Sequence, residues 1–101
     1  MGAKRAVFLD RDGTIIEDHG HLGDAGEVRF IQRSVESLLR LQGQYLLFIV
    51  TNQSGIAKGL VGAEQVRRVN DHVVEYLSRQ GVDIAAVYTC PHQRSDGCEC
   101  I

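Results

Sequence analysis

The sequence predicts an α/β fold in which helices flank a parallel sheet. Three short apolar runs alternate with two helical patterns along the 101 residues. The order strand, helix, strand, helix, strand predicts parallel strands joined by right-handed crossovers. The runs are continuous rather than alternating, which favours strands that are covered on both faces. The three runs are Ala6–Leu9, Tyr45–Val50 and Ala85–Thr89.

The two segments between these runs carry helical patterns. The first extends from about Gln32 to Gln42 and the second from about Ala63 to Gln80. In both segments apolar residues recur at spacings of three and four, so one face of each helix can pack on the sheet. Gly43 and Gly81 follow the two patterns, and glycine in that position is typical of a helix end.

The composition limits the functional class. The chain is 44% hydrophobic and 24% charged, which is ordinary for one small globular domain. A net charge of −2 provides no basic surface for nucleic acid and no polybasic patch for a membrane. No apolar run approaches the ~20 residues that a membrane helix needs, and no secretory leader is present. We therefore expect a cytoplasmic protein that binds neither nucleic acid nor membrane.

Two aspartates follow the first apolar run, in the sequence VFLDRDGTI. Asp10 and Asp12 are two residues apart, so an extended backbone would point both side chains the same way, and Gly13 allows a tight turn after them. Two adjacent carboxylates are costly unless a cation neutralises them or one carries a proton. Because Mg²⁺ takes oxygen ligands, the pair predicts a magnesium site; an Asx-turn in solvent is the alternative.

The second predicted strand ends in a group of hydrogen-bond donors. Thr51, Asn52 and Gln53 provide hydroxyl, amide and backbone N–H groups, and Lys58 adds a positive charge. Donors at the carboxyl end of a strand favour an anion site, although a polar loop without a ligand is the alternative. A carboxylate pair with a cation, next to an anion site, predicts phosphoryl chemistry.

These motifs resemble a known enzyme superfamily. The sequence DRDGT resembles motif I of the haloacid dehalogenase superfamily, and LFIVTN resembles its motif II. In more detail, FLDRDGTI, EDHGHL, TNQSGIAKG and CPH…DGCEC resemble, in that order, the D-glycero-D-manno-heptose-1,7-bisphosphate 7-phosphatase family. The resemblance covers essentially the whole chain. It implies that residues 1–101 form a Rossmann-like core that is incomplete at the C-terminus, after its third core strand.

The resemblance also implies roles for individual residues. Asp10 would be the nucleophile that forms an aspartyl-phosphate, and Asp12 the general acid and then the general base. The Asp10 side chain and the Asp12 backbone carbonyl would bind Mg²⁺. Thr51 would hold phosphoryl oxygens, with Asn52 beside it. His19 would line the substrate entrance, although a solvated loop is the alternative for it.

A group of zinc-type ligands occurs near the end of the sequence. Cys90, His92, Cys98 and Cys100 form a C-x-H pair and a C-x-C pair, and three thiolates with one imidazole make a tetrahedral zinc set. With no open coordination position, this zinc would be structural. The spacing resembles the zinc loop of the heptose bisphosphatase family in a short version. The alternatives are three reduced thiols or a strained Cys98–Cys100 disulfide.

The implied function is hydrolysis of a sugar phosphate, with the 7-phosphate of heptose 1,7-bisphosphate as the expected substrate. A histidinol-phosphate phosphatase is an alternative, because that family resembles this chain in motif I and in the zinc loop. A non-catalytic, zinc-stabilised module is another. The family pattern continues beyond Cys100 with a lysine word and a later acidic motif, which Ile101 precedes. We therefore expect little activity from these 101 residues alone.

Overall fold

The structure, a computed structural model, describes residues 5–18, 20 and 22–90. The strands and helices follow the predicted order and agree with the predicted bounds to within two residues at each end. They are β1 (Arg5–Asp10), α1 (Gln32–Leu41), β2 (Tyr45–Asn52), α2 (Ala63–Arg79) and β3 (Ile84–Cys90). A short 3-10 helix, Ala25–Glu27, lies in the connection between β1 and α1 and was not predicted.

The three strands form a parallel sheet in the order β1-β2-β3, which confirms the predicted architecture. Asp10 is paired with Val50 and Thr51 with Thr89, so the strands end close to one another. In a parallel sheet the carboxyl ends of all strands share one edge, where ligands bind in α/β proteins. The polar residues after β1 and β2 are thereby brought to that edge.

One face of the sheet carries the hydrophobic core. Right-handed crossovers that add β2 and then β3 in the same direction place both helices on the same side. Side chains from α1, α2, β2 and the connection after β1 form one buried cluster. Its members include Ile15, Ile16, Val35, Leu38, Leu47, Ile49, Val69, Val73 and Leu77. No helix within the described ranges is both long and apolar enough to cross a membrane.

The expectation that both faces of the sheet are covered is wrong for the described part of the chain. On the face away from the helices, Phe8 is 60% exposed, Tyr88 53% and Leu46 45%. The ring of Phe48 lies between the other two rings, with centroids 5.0 Å from Phe8 and 6.2 Å from Tyr88. The physical reason is the strand order, which leaves no crossover of the described chain on this side. We call Phe8, Phe48 and Tyr88 the aromatic row.

Candidate active site

A cavity of about 270 Å³ opens at the carboxyl edge of the sheet. It brings together five of the residues predicted to bind substrate or metal, and adds residues that the sequence patterns did not indicate. The lining residues are Asp10, Arg11, Asp12, Asp18, Gly20, Thr51, Asn52, Gln53 and Ser54. The arrangement combines carboxylates with hydroxyl and amide groups from two adjacent strand ends.

Asp10 is the last residue of β1, and its side chain is open to the cavity. The residue is exposed, and among the described residues no side chain donates a hydrogen bond to its carboxylate. The backbone turns away immediately afterwards, because Gly13 has a φ of 82° and its N–H donates to the carbonyl of Ile16 at 2.7 Å. A carboxylate held at a strand end without a protein partner is accessible to a cation or to a substrate.

Asp12 has a different environment, since a buried arginine neutralises it. Arg11 is only 1% exposed, and its Nε and Nη2 donate to the two carboxylate oxygens of Asp12 at 3.1 Å each. A buried guanidinium is tolerated only where its charge is paired and its N–H groups are bonded. The cation that the sequence required for the aspartate pair is therefore supplied to Asp12 by the residue between the two aspartates.

The Arg11 side chain has a second partner on α2. Its Nη1 donates to Oδ1 of Asn70 at 2.9 Å, and Nδ2 of Asn70 donates to the hydroxyl of Thr89 at 3.0 Å. Sequence reasoning missed both Arg11 and Asn70. A signal was available, because Asn70 interrupts the buried stripe of α2 four residues after Val66, where an apolar residue is expected.

Gln53 connects the ends of β1 and β2. It is buried, and its Nε2 donates to Oδ2 of Asp12 at 3.0 Å and to the hydroxyl of Thr51 at 2.6 Å. Its backbone N–H donates to the carbonyl of Cys90, at the end of β3, at 2.7 Å. The side chain thus organises the cavity wall in this structure. Its predicted contact with phosphate stays a prediction, as does that of Asn52.

The two remaining predicted substrate ligands are not found at the cavity wall. Lys58 is exposed in the turn after β2, where its backbone N–H donates to the carbonyl of Ser54 at 3.1 Å, and it does not line the cavity. His19 lies outside the described residues. The cavity instead includes Asp18, whose Oδ1 accepts from the N–H of Gly20 at 3.0 Å.

The donor set at the cavity suits magnesium better than a softer metal. The open carboxylate of Asp10 lies beside the backbone of Asp12, and oxygen donors of this kind are the ligands of Mg²⁺. Within the described ranges, no group of three or more His, Cys, Asp or Glu side chains is arranged to hold a metal ion. A magnesium ion here would therefore need further ligands from water, from phosphate or from other parts of the protein.

Only one of the four predicted zinc ligands lies in the described part of the chain. Cys90 ends β3, is buried, and its sulfur is in a disulfide. His92, Cys98 and Cys100 lie outside the described residues. Because a disulfide sulfur is not a thiolate, the disulfide and zinc ligation are alternative states of Cys90. The zinc site stays a prediction.

Comparison with known proteins supports the same chemistry. No family model matches the chain. It is 43% identical over 90 residues to D-glycero-beta-D-manno-heptose-1,7-bisphosphate 7-phosphatase of Pasteurella multocida, and 40% identical over 103 residues to the enzyme of the same name from Photorhabdus laumondii. Its homologues are heptose-bisphosphate phosphatases. The matches cover 88% and 94% of this chain but only 49% and 55% of the relatives, so the chain spans about half of their length.

Solved structures agree with these relatives. The D,D-heptose 1,7-bisphosphate phosphatase from B. bronchiseptica, determined in complex with magnesium and phosphate, matches with a TM-score of 0.86 at 30% identity. The match covers 96% of this chain and 55% of that one. A HAD-like protein from Mesorhizobium loti matches with a TM-score of 0.83 at 33% identity, over 91% of this chain and 44% of that one. The predicted haloacid dehalogenase-like sheet with its flanking helices is thereby confirmed.

Proposed function

We propose that this chain carries the nucleophile and the acid–base residue of a magnesium-dependent phosphatase acting on a sugar phosphate. The substrate we infer is the 7-phosphate of D-glycero-D-manno-heptose 1,7-bisphosphate, as the names of the relatives suggest. The observation that carries the proposal is the contrast between an open Asp10 and a paired Asp12 in one cavity. Two carboxylates in unlike environments can divide nucleophilic and proton-transfer work between them.

Asp10 is the residue placed for attack on phosphorus. A carboxylate oxygen of Asp10 would form a bond to phosphorus while the bond from phosphorus to the leaving sugar oxygen breaks, giving an aspartyl-phosphate that water then hydrolyses. Asp12 would donate a proton to the leaving oxygen and later take one from the attacking water. Mg²⁺, held by the Asp10 side chain and the Asp12 backbone carbonyl, would offset the repulsion between carboxylate and phosphate.

Thr51 is oriented to contact a phosphoryl group. Because its hydroxyl oxygen accepts a hydrogen bond from Gln53, its own proton is available to a ligand in the cavity. Asn52 lines the same cavity one residue further on. Together they would hold the phosphoryl oxygens over Asp10. The predicted zinc ligands would shape the neighbouring loop without taking part in the chemistry.

We infer that residues 1–101 supply part of one phosphatase domain. The relatives are about twice as long as the region matched, and an open magnesium shell is consistent with further ligands elsewhere. The direct test joins residues 1–101 to the unmatched remainder of the P. multocida relative. Phosphate release by this chimera is then measured with heptose 1,7-bisphosphate and with histidinol phosphate, in Mg²⁺ and in EDTA.

The control is the same chimera with Asp10→Asn. We expect magnesium-dependent release from the heptose bisphosphate that the substitution abolishes. Equal rates with and without Asp10 would contradict the proposed chemistry, and a preference for histidinol phosphate would contradict the proposed substrate. The 101-residue chain alone, assayed in parallel, is expected to show little release.

A further inference from the structure

The side chain of Asp12 is held in one position by donors alone. Arg11 reaches both carboxylate oxygens through Nε and Nη2, and Gln53 donates to Oδ2 as well. A carboxyl group that gives a proton to a leaving oxygen must turn one oxygen toward that group. In the position observed, both oxygens of Asp12 are instead directed at protein N–H groups, with its side chain only 19% exposed.

The strength of this hold depends on Arg11, and Arg11 depends on Asn70. The guanidinium can only donate, so Oδ1 of Asn70 must face it, and Nδ2 must face the hydroxyl of Thr89, as observed. Asn70 is 7% exposed and lies on α2, which the core packing fixes against the sheet. The chain of contacts therefore runs from a rigid helix through the guanidinium to the carboxylate.

We propose that Asn70 is a positioning residue, which acts through Arg11 to hold the Asp12 side chain against the cavity wall, away from a leaving group. This role rests on the proposed function, because it concerns the residue assigned to proton transfer. Asp12 reaches a substrate only when it exchanges Arg11 for the leaving oxygen. The contacts of Asn70 set how easily that exchange occurs, since they decide whether the guanidinium can follow the carboxylate.

The test uses the 101-residue chain, without substrate or metal, and nuclear magnetic resonance. Two signals are measured: the hydrogen exchange of the Arg11 Nε–H, and the three-bond couplings that report the χ1 rotamer of Asp12. In the unaltered chain we expect a protected Nε–H and one Asp12 rotamer. Asn70→Leu removes the acceptor and should raise the Arg11 exchange rate about 10- to 100-fold, the factor expected for losing a hydrogen bond to a charged group, and should average the Asp12 couplings.

Two further variants make the result specific. Asn70→Asp keeps an acceptor toward Arg11 and should retain both signals, whereas loss of either signal in it would overturn the proposal. Arg68→Leu makes a polar-to-apolar change at an exposed position of the same helix and should alter neither signal. A folded Asn70→Leu chain with both signals unchanged would also overturn it.

If Asn70→Leu does not fold, Thr89→Val replaces it. This change removes the partner of Asn70 Nδ2 at an exposed position and should shift both signals in the same direction by a smaller amount. Unchanged signals in Thr89→Val would then count against the proposal. These measurements do not depend on turnover, so a chain without phosphatase activity can still confirm the hold on Asp12, and an active one can still refute it.

Discussion

Asp10 and Asp12 have unlike surroundings although a single residue separates them. The side chain of Arg11 is buried and pairs with Asp12 alone, while Asp10 stays open to the cavity. The two carboxylates therefore do not compete for one cation. Substituting each in turn should have different consequences for turnover.

We expect Asp10→Asn to abolish phosphate release in the active chimera, because an amide oxygen does not attack phosphorus. Asp12→Asn should slow release by about 10²–10⁴-fold, the usual contribution of general acid–base catalysis. Steady-state rates measure both effects, and circular dichroism checks that the fold is retained. A near-normal rate in either variant would remove that residue from its role.

Gly13 allows the turn that follows the two aspartates. Its φ of 82° lies in the left-handed region, and a Cβ built there would meet nothing within 4 Å, so Gly13→Ala would cost backbone strain without a clash. We expect a loss of about 1–2 kcal/mol in the free energy of unfolding. Urea unfolding measures the loss. Gly43→Ala, at a glycine outside the left-handed region, is the control and should cost less.

At the scale of single elements, α2 contributes most through its buried stripe. Leu77 is fully buried in the core cluster, so Leu77→Ala leaves a cavity and should lower the free energy of unfolding by about 2–5 kcal/mol. Leu39→Ala, at a position that is 40% exposed on α1, is the comparison and should cost under about 1 kcal/mol. Similar losses in both variants would show that α2 does not pack as described.

The end of β3 is the element on which the zinc prediction depends. With Cys90 reduced, we expect the chain to bind one zinc ion through Cys90, His92, Cys98 and Cys100, and to be stabilised by it, since an unfolded chain has no preformed site. Elemental analysis and thermal unfolding, with zinc and with a chelator under reducing conditions, measure this. Cys98→Ser should abolish the stabilisation. Zinc-replete, reduced protein that contains no metal would contradict the site.

Sequence patterns predicted the elements but not the contacts between distant ones. Strand and helix periods are local, so β2 and α2 could be located to within two residues. The contact between Arg11 and Asn70 joins positions 59 residues apart and depends on how α2 packs, which no local pattern encodes. The burial of Ile15 and Ile16 was also missed, because the connection after β1 has no regular period.

At the scale of the whole molecule, the uncovered sheet face is the main departure from expectation. Continuous apolar runs indicate burial on both faces only if later parts of a chain supply the second layer. The described elements supply one layer, and β1 is an edge strand of the sheet. An exposed apolar face beside an unpaired edge strand favours association.

We expect the 101-residue chain to self-associate at high concentration through this face. Phe8→Lys removes the most exposed ring of the aromatic row and should raise the dissociation constant roughly tenfold or more, as expected for loss of a buried phenylalanine. Sedimentation velocity over a concentration series measures this. Leu39→Lys places the same charge on α1 and should leave association unchanged, whereas an equal effect of both variants would locate the contact elsewhere.

The aromatic row also makes the chain its own optical reporter. The sequence has no tryptophan and three tyrosines, so its near-ultraviolet emission comes from tyrosine. Tyr45 and Tyr76 are partly buried, and the ring of Tyr76 stacks on Phe30 with centroids 3.8 Å apart, while Tyr88 faces solvent. A soluble quencher should therefore reach Tyr88 first. Whatever covers the second face of the sheet should shield that emission, so its arrival can be followed without a label.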